Sequence, residues 1–187
     1  MKLAPNDDTC ATDAKVYRSM VGGLNYLSHT RPNVAHSVGL VSRCMHKPTK
    51  HHLGALKRIL HYIAGTCEYG IWYKKVDKMK LIGYCDSDWA GSIDDRESTT
   101  GYVFTLGSGV ISWSSKKQST VALSSSEAEY AAITSAACQA IWLRRMLADF
   151  LHEQQGATEL YSDNMSAINL TKNAIFHSRT KHISFVT

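Results

Sequence analysis

Residues 81–91 hold the feature that most constrains the fold, an apolar run that breaks into two aspartates, L-I-G-Y-C-D-S-D-W-A-G. A run of this kind predicts a β-strand that brings Asp86 and Asp88 to the edge of a hydrophobic core. Aspartates after a strand are also ordinary turn formers. The pattern alone therefore leaves both a structural and a functional role open.

The residues that follow predict an α/β domain. The expected elements are strands at 102–106 and 110–114, a long helix from 124 to about 151, a strand at 160–162 and a helix at 164–172. Because the first two of these strands flank a short glycine-containing turn, they should pair as an antiparallel hairpin. The later strand must be reached through the long helix, so we expect a mixed sheet.

Three short amphipathic helices are predicted before this domain, because apolar residues recur there at three- and four-residue steps. They begin after Asp13, at Pro32 and after Thr49. Gly65 and Gly70 end this small bundle. We therefore expect a helical segment at 1–70, a linker at 71–80 and the α/β domain at 81–187.

The composition is that of an ordinary globular protein, with 44% apolar and 20% charged residues among 187. No window reaches the ~18 consecutive apolar residues of a membrane span, and the N-terminus lacks the apolar core of a signal peptide. We expect an intracellular protein that is not secreted and meets no membrane. The five cysteines are scattered and never in C-x-x-C spacing, which indicates neither a disulfide framework nor a zinc site.

The charge is unevenly divided along the chain. Residues 1–78 carry a net charge of +7, whereas residues 79–187 carry −2. The basic half is a candidate surface for a polyanion and the acidic half for a cation, although a solvated basic face would have the same composition. The side chains expected to contact phosphates are Lys50, Lys57, Arg58 and Lys74.

Acidic side chains from three predicted elements can meet at one place. Asp86 and Asp163 follow strands, and Glu127 and Glu129 lie in the first turns of the long helix. Clustered carboxylates either shift a pKa strongly or hold a cation, and oxygen ligands favour Mg²⁺ or Mn²⁺. Two such ions can support phosphodiester cleavage. The alternative is that the aspartates cap turns and Glu127 merely favours the helix N-terminus.

Several long motifs in the α/β half resemble one known family. They are D-S-D-W-A-G, D-D-R-E-S-T-T-G-Y, I-S-W-S-S-K-K-Q-S-T-V-A-L-S-S-S-E-A-E-Y, L-Y-S-D-N-M-S-A-I and N-A-I-F-H-S-R-T-K-H-I. Together they resemble the ribonuclease H domain of the Pol polyproteins of copia-type LTR retrotransposons. Y-R-S-M-V-G-G-L-N-Y-L, T-R-P-N-V-A-H-S-V and A-L-K-R-I-L-H-Y-I-A-G-T resemble the thumb and connection of the same reverse transcriptase. The resemblance covers about residues 14–183.

The resemblance implies a fold and a site. The fold is a ribonuclease H-like mixed five-stranded sheet flanked by helices, preceded by the helical bundle. Asp86, Glu129 and Asp163 would be the catalytic residues and would hold two Mg²⁺ or Mn²⁺ ions, with Glu127 competing with Glu129 and with Asp88 in a supporting role. The implied substrate is the RNA strand of an RNA–DNA hybrid. The missing polymerase portion of the polyprotein is a possible partner, in a cytoplasmic particle or in the nucleus.

The sequence also departs from the family. The last strand of the sheet and a helix with a fourth acidic residue are missing after Thr187, and Ser184 stands where an acid usually follows K-H-I. These differences predict a frameshift or a premature stop just after Ile183. Because nothing resembles the polymerase palm and its Y-x-D-D core, we expect no DNA synthesis by this polypeptide.

Three functional hypotheses follow from the sequence. The first is metal-dependent hydrolysis of RNA in a hybrid, weakened by the truncation, because an exposed sheet edge destabilises a domain. The second is an inactive remnant that still binds nucleic acid through the basic helices. The third is a relic adopted for interaction with another protein.

Overall fold

The structure is a computed structural model that describes residues 9–76, 79–92 and 95–172. These residues form two compact units: the first comprises the residues up to Gly70 together with Ser92, and the second comprises those from Ile71 to Gly91 and from Asp95 onward. The expectations for residues 173–183 and for the stretch after Ile183 lie outside the described residues. Within the described part of the chain, no helix is both long enough and apolar enough to span a bilayer.

The first unit contains the three helices that the sequence predicts. They are α1 (Ala14–Leu27), α2 (Pro32–Ser42) and α3 (Lys50–Ala64). The Asp13 side chain caps α1 by accepting hydrogen bonds from the amides of Lys15 and Val16. At α3, the Thr49 side chain accepts from the His52 amide, and the Thr49 amide donates to His52 Nδ1 at 3.1 Å. This reciprocal pair is a capping box with a histidine in the usual acid's place.

Apolar faces of the three helices form the core of the first unit. Tyr17 is fully buried, and its hydroxyl donates to the Val41 carbonyl at 2.8 Å, which joins α1 to the end of α2. Burial raises the pKa of this tyrosine, so it stays a donor. The core comprises Tyr17, Val21, Leu24, Val34, Val38, Val41, Cys44, Leu56 and Ile59.

The second unit is a mixed sheet with two helices. Its elements are β1 (Leu81–Ser87), β2 (Thr99–Leu106), β3 (Gly109–Lys117), α4 (Ser125–Asp149), β4 (Glu159–Tyr161) and α5 (Met165–Lys172). The strand order is β3-β2-β1-β4, in which the first three strands are antiparallel and β4 runs parallel to β1. The described residues thus form a four-stranded sheet, and the fifth strand of the family resemblance is not among them.

Helix α4 covers one face of this sheet. Its alanines at 136 and 140 and its leucines at 143 and 147 pack against Leu81, Cys85 and Phe104. The small alanine side chains let the helix backbone approach the strands closely. This packing holds α4 across the sheet, and the second turn of the same helix meets the end of β1 through the hydrogen bond between Ser87 and Glu129.

Candidate metal centre

Three carboxylates from three separate elements converge at one edge of the sheet. Asp86 lies near the end of β1, Glu129 in the second turn of α4, and Asp163 just after β4. One carboxylate oxygen from each residue lies within 4.8 Å of the other two. Asp86 and Asp163 are exposed, whereas Glu129 is only 5% exposed.

The topology of the sheet explains this convergence. Because β1 and β4 are parallel neighbours, their C-terminal ends lie at the same edge. Strand β3 is separated from β1 by two antiparallel pairings and so also runs parallel to it. The helix that follows β3 therefore starts at that edge as well, as is usual for sites in α/β sheets.

The backbone amide of Ser87 donates hydrogen bonds to two of the three carboxylates. It donates to Asp86 Oδ1 at 2.8 Å and to Glu129 Oε1 at 3.0 Å. Two carboxylates that share one N–H group have little compensation for their mutual repulsion. The site is therefore more negative than its hydrogen bonds can neutralise.

The pKa of Glu129 is raised at this site, first by burial and then by its neighbours. Burial, followed by the charges of Asp86 and Asp163, raises its pKa to about 7, although the hydrogen bond from the Ser87 amide opposes the shift. Its Oε2 atom is buried and has no hydrogen-bond partner within the described residues. A buried carboxylate oxygen without a donor is costly unless a cation satisfies it. The donor set, three carboxylates and no nitrogen or sulfur, fits Mg²⁺ or Mn²⁺.

The neighbouring Cys85 offers no thiolate to such an ion. Burial and then the charges of Glu129, Asp86 and Asp163 raise its pKa to about 11. Its Sγ lies 3.5 Å from the Tyr161 carbonyl, to which the thiol can donate. Cys85 is therefore a buried thiol that joins β1 to β4.

Glu127, the competing candidate, has a different role. Its Oε2 accepts from the Leu123 amide at 2.6 Å, and its own amide donates to the Ser124 hydroxyl at 3.2 Å. These two hydrogen bonds cap the N-terminus of α4. The structure places Glu129, not Glu127, in the carboxylate cluster. The spacing S-x-x-E of Ser124 and Glu127 is a capping signal that the sequence already contained.

Asp88 shapes the loop that follows β1. Its Oδ1 accepts a hydrogen bond from the Thr99 amide, which pairs the loop with the start of β2. The next residue, Trp89, donates from Nε1 to the Ala122 carbonyl at 3.3 Å. A Cβ atom at Gly91 would overlap the Asp88 carboxylate, so a larger residue there would require this side chain to move.

Gln118, which the sequence reasoning missed, lies beside the cluster. Its Nε2 is within hydrogen-bonding distance of the Ser87 hydroxyl, the Thr100 hydroxyl and the Ala128 carbonyl. A single glutamine after a strand carries no local signal for such a role. Only the tertiary fold brings these three partners to it.

The basic residues expected to contact phosphates are all exposed. Lys50, Lys57 and Arg58 lie on α3 in the first unit, whereas Lys74 lies in the second unit. Lys50 and Arg58 also line a groove of about 810 Å³ between α2 and α3. The described structure thus groups three of the four on one helix.

Comparison with known proteins identifies relatives along nearly the whole chain. The retrovirus-related Pol polyprotein from transposon RE1 of Arabidopsis thaliana is 45% identical over 183 residues, 98% of this chain and 12% of the relative. The corresponding polyprotein from transposon TNT 1-94 of Nicotiana tabacum is 49% identical over 173 residues, 91% of this chain and 13% of the relative. The chain thus spans about an eighth of the length of these two polyproteins.

A much shorter relative matches part of the chain. Secreted RxLR effector protein 161 of Plasmopara viticola is 48% identical over 128 residues, 68% of this chain and 90% of the relative. No family model matches the chain. No solved structure matches it either.

Proposed function

Because the chain belongs to the retrovirus-related Pol polyproteins of transposons, we propose that its second unit is a ribonuclease H-type domain of a copia-type reverse transcriptase. Its reaction is the endonucleolytic hydrolysis of the RNA strand in an RNA–DNA hybrid. One observation carries this function: Asp86, Glu129 and Asp163 meet within 4.8 Å although they come from three elements. The fold also suits this proposal. Three consecutive antiparallel strands are followed by α4, which lies across one face of the mixed sheet, as expected for a ribonuclease H-like fold.

These three residues would hold the divalent ions, Mg²⁺ or Mn²⁺, which when bound supply activation of water and stabilisation of the leaving oxygen in phosphodiester hydrolysis. Ser87 orients two of the ligands through its amide, so their oxygens face each other before any ion arrives. Glu129 must lose its proton to act as a ligand. Burial raises its pKa to about 7 in the absence of an ion, so a binding ion must displace this proton, and metal affinity should weaken as the pH falls below 7.

The decisive experiment is a hybrid-cleavage assay with Mg²⁺ or Mn²⁺ that compares the wild type with Asp163→Asn and Asp149→Asn. The first change removes a ligand, and the second removes an exposed carboxylate at the other end of α4. We expect Asp163→Asn to lower kcat by more than ~100-fold, because even residues that only support metal ligands are worth 10–100-fold. Asp149→Asn should cleave like the wild type. Equal rates for the two variants would refute the assignment.

Metal binding can be measured separately from cleavage. Calorimetric titration with Mn²⁺ should give two sites in the wild type and weaker binding in Asp86→Asn and Asp163→Asn. A wild type that binds no Mn²⁺ at millimolar concentration would contradict the proposed function, whatever the cleavage rate.

The basic first unit would supply the contacts to the hybrid, and the polymerase portion of a longer polyprotein would be its partner. Lys50, Lys57 and Arg58 are exposed on one helix, which suits contact with successive phosphates. Addition of a separately expressed polymerase segment should raise hybrid affinity if the two parts act together. No change in affinity would count against this partner.

A protein-interaction role is the second candidate function. The observation that favours it is that a protein 48% identical over 128 residues, nearly its whole length, carries the name of a secreted effector. Under this hypothesis the carboxylates would be dispensable. If metal-dependent cleavage is observed and disappears in Asp163→Asn, protein interaction is excluded as the sole function.

A further inference from the structure

Gln118 joins three elements around the carboxylate cluster. It follows the last residue of β3, and its backbone amide donates to the Ser98 carbonyl at 2.8 Å. Its side-chain Nε2 lies 3.2 Å from Ser87 Oγ, 2.9 Å from Thr100 Oγ1 and 3.0 Å from the Ala128 carbonyl. These partners belong to β1, β2 and α4 respectively.

Chemistry fixes which way the amide group points. The Ala128 carbonyl can only accept a hydrogen bond, so the atom that faces it must be the NH₂ group. With two hydrogens for three acceptors, the NH₂ group is fully used. The other end of the side chain, Oε1, is buried and has no partner among the described residues. A buried acceptor without a donor is a cost that a merely space-filling side chain would not incur.

Each contact of Gln118 leads directly to a carboxylate. Ser87 is the residue whose amide donates to both Asp86 and Glu129, and its hydroxyl accepts from Gln118. Ala128 immediately precedes Glu129, and its carbonyl also accepts from Gln118. The side chain therefore spans the gap between the end of β1 and the first turns of α4, the two segments that must stay in register for two ligands to meet.

We propose that Gln118 is a positioning residue that sets the separation of the Asp86 and Glu129 carboxylates. It touches neither carboxylate and acts through Ser87 and Ala128. The expectation that Gln118 affects metal affinity rests on the proposed function. The expectation that Gln118 sets the separation of the two carboxylates without a metal does not depend on that function.

Gln139 provides a matched control. It is also a half-buried glutamine, and it donates from Nε2 to the Ser112 hydroxyl at 3.2 Å, which joins α4 to β3. It lies ten residues beyond Glu129, about 15 Å further along the helix. Gln118→Met and Gln139→Met each replace an amide with a thioether of similar size, and each removes a connection between α4 and the sheet.

The experiment compares wild type, Gln118→Met and Gln139→Met by three measurements: urea unfolding, hydrogen exchange of the Ser87 amide in EDTA, and the dissociation constant for Mn²⁺. We expect the two variants to have similar unfolding midpoints. Only Gln118→Met should accelerate exchange at Ser87, by ten-fold or more, and weaken Mn²⁺ binding by about ten-fold. Gln118→Glu, which keeps the shape but loses the donor, should behave like Gln118→Met.

The outcomes separate the two proposals. Exchange at Ser87 that is unchanged in Gln118→Met, or equally changed in Gln139→Met, would overturn the positioning role. A wild type that binds no Mn²⁺ would overturn the proposed function and leave the positioning role to be decided by the exchange data alone.

Discussion

Glu129 is the residue at which folding and function oppose each other. Its pKa of about 7 in the metal-free fold compares with about 4.5 for an ordinary glutamate. The folded state therefore binds this proton more tightly than the unfolded state does. Its stabilising contribution is complete below pH ~4.5 and is lost as the pH rises to ~7. A bound cation would reverse the effect by favouring the ionised form.

We predict that Glu129→Gln stabilises the metal-free protein at pH 8 and leaves it unchanged near pH 4.5. The amide mimics the protonated acid, so the gain at pH 8 should be about 1–2 kcal/mol in the free energy of unfolding. Urea unfolding in EDTA at the two pH values measures it. Glu153→Gln, at an exposed position in the same unit, is the control and should change the free energy of unfolding by less than about 0.5 kcal/mol. A loss of stability in Glu129→Gln at pH 8 would show that its charge is already compensated.

Two glutamates separated by one residue illustrate what sequence could and could not determine. Both lie in the first turns of α4, so helix position alone does not separate them. Glu127 is committed to the Leu123 amide, which a capping motif can indicate. Gln118 is different, since its three partners lie 10 to 31 residues away in sequence and meet it only in the folded sheet.

At the scale of elements, the strand ends are where the sequence was least informative. The hairpin was expected at 102–106 and 110–114, but β2 begins at Thr99 and β3 continues to Lys117. The added residues, T-T-G and S-K-K among them, are polar or glycine and lack the apolar alternation by which strands are recognised. Pairing with neighbouring strands extends β2 and β3 through these residues, since Thr100 pairs with both Ser87 and Lys116. Because of this extension, β2 and β3 reach the end of β1 near which the carboxylates lie.

Strand β1 depends on a glycine that lets two side chains pack across it. A Cβ atom at Gly83 would lie 2.5 Å from Phe104 Cε1 and 2.7 Å from Leu160 Cδ1. We predict that Gly83→Ala costs about 1–3 kcal/mol in the free energy of unfolding, because the ring and the leucine must move within a packed core. Chemical denaturation followed by tryptophan fluorescence measures this loss.

Gly101 on the adjacent strand β2 is the control for this substitution. A Cβ atom there would meet only the Asp86 carbonyl at 3.8 Å, which is ordinary contact. Gly101→Ala should therefore change the free energy of unfolding by less than about 1 kcal/mol, and it could stabilise the strand by restricting the unfolded chain. Equal losses in the two variants would mean that backbone freedom, not packing, matters in this sheet.

At the scale of the whole molecule, the excess of positive charge lies in the first unit: residues 1–70 have a net charge of +5, and residues 71–187 have none. The carboxylate cluster repels phosphates, so affinity for a nucleic acid must come from cations elsewhere on the chain. This net charge of +5 makes the first unit the source that the sequence indicates. Charge counting predicted which half would be basic. It could not predict that Lys50 and Arg58 would also line an apolar groove, since that depends on how α2 packs against α3.

The salt dependence of hybrid binding measures whether those cations act on phosphates. Each cation that neutralises a phosphate contributes about 0.9 to the slope of log affinity against log salt concentration. Lys57→Ala/Arg58→Ala should therefore flatten the slope by about 2 and weaken binding across sequences without changing metal affinity.

Arg145→Ala/Lys172→Ala removes the same two residue types from exposed positions of the second unit and should leave the slope nearly unchanged. The measurement is a fluorescence-anisotropy titration of a labelled hybrid at several salt concentrations, in EDTA to prevent cleavage. If both double variants flatten the slope equally, the attraction is a diffuse property of the net charge, and α3 is not a phosphate-binding helix.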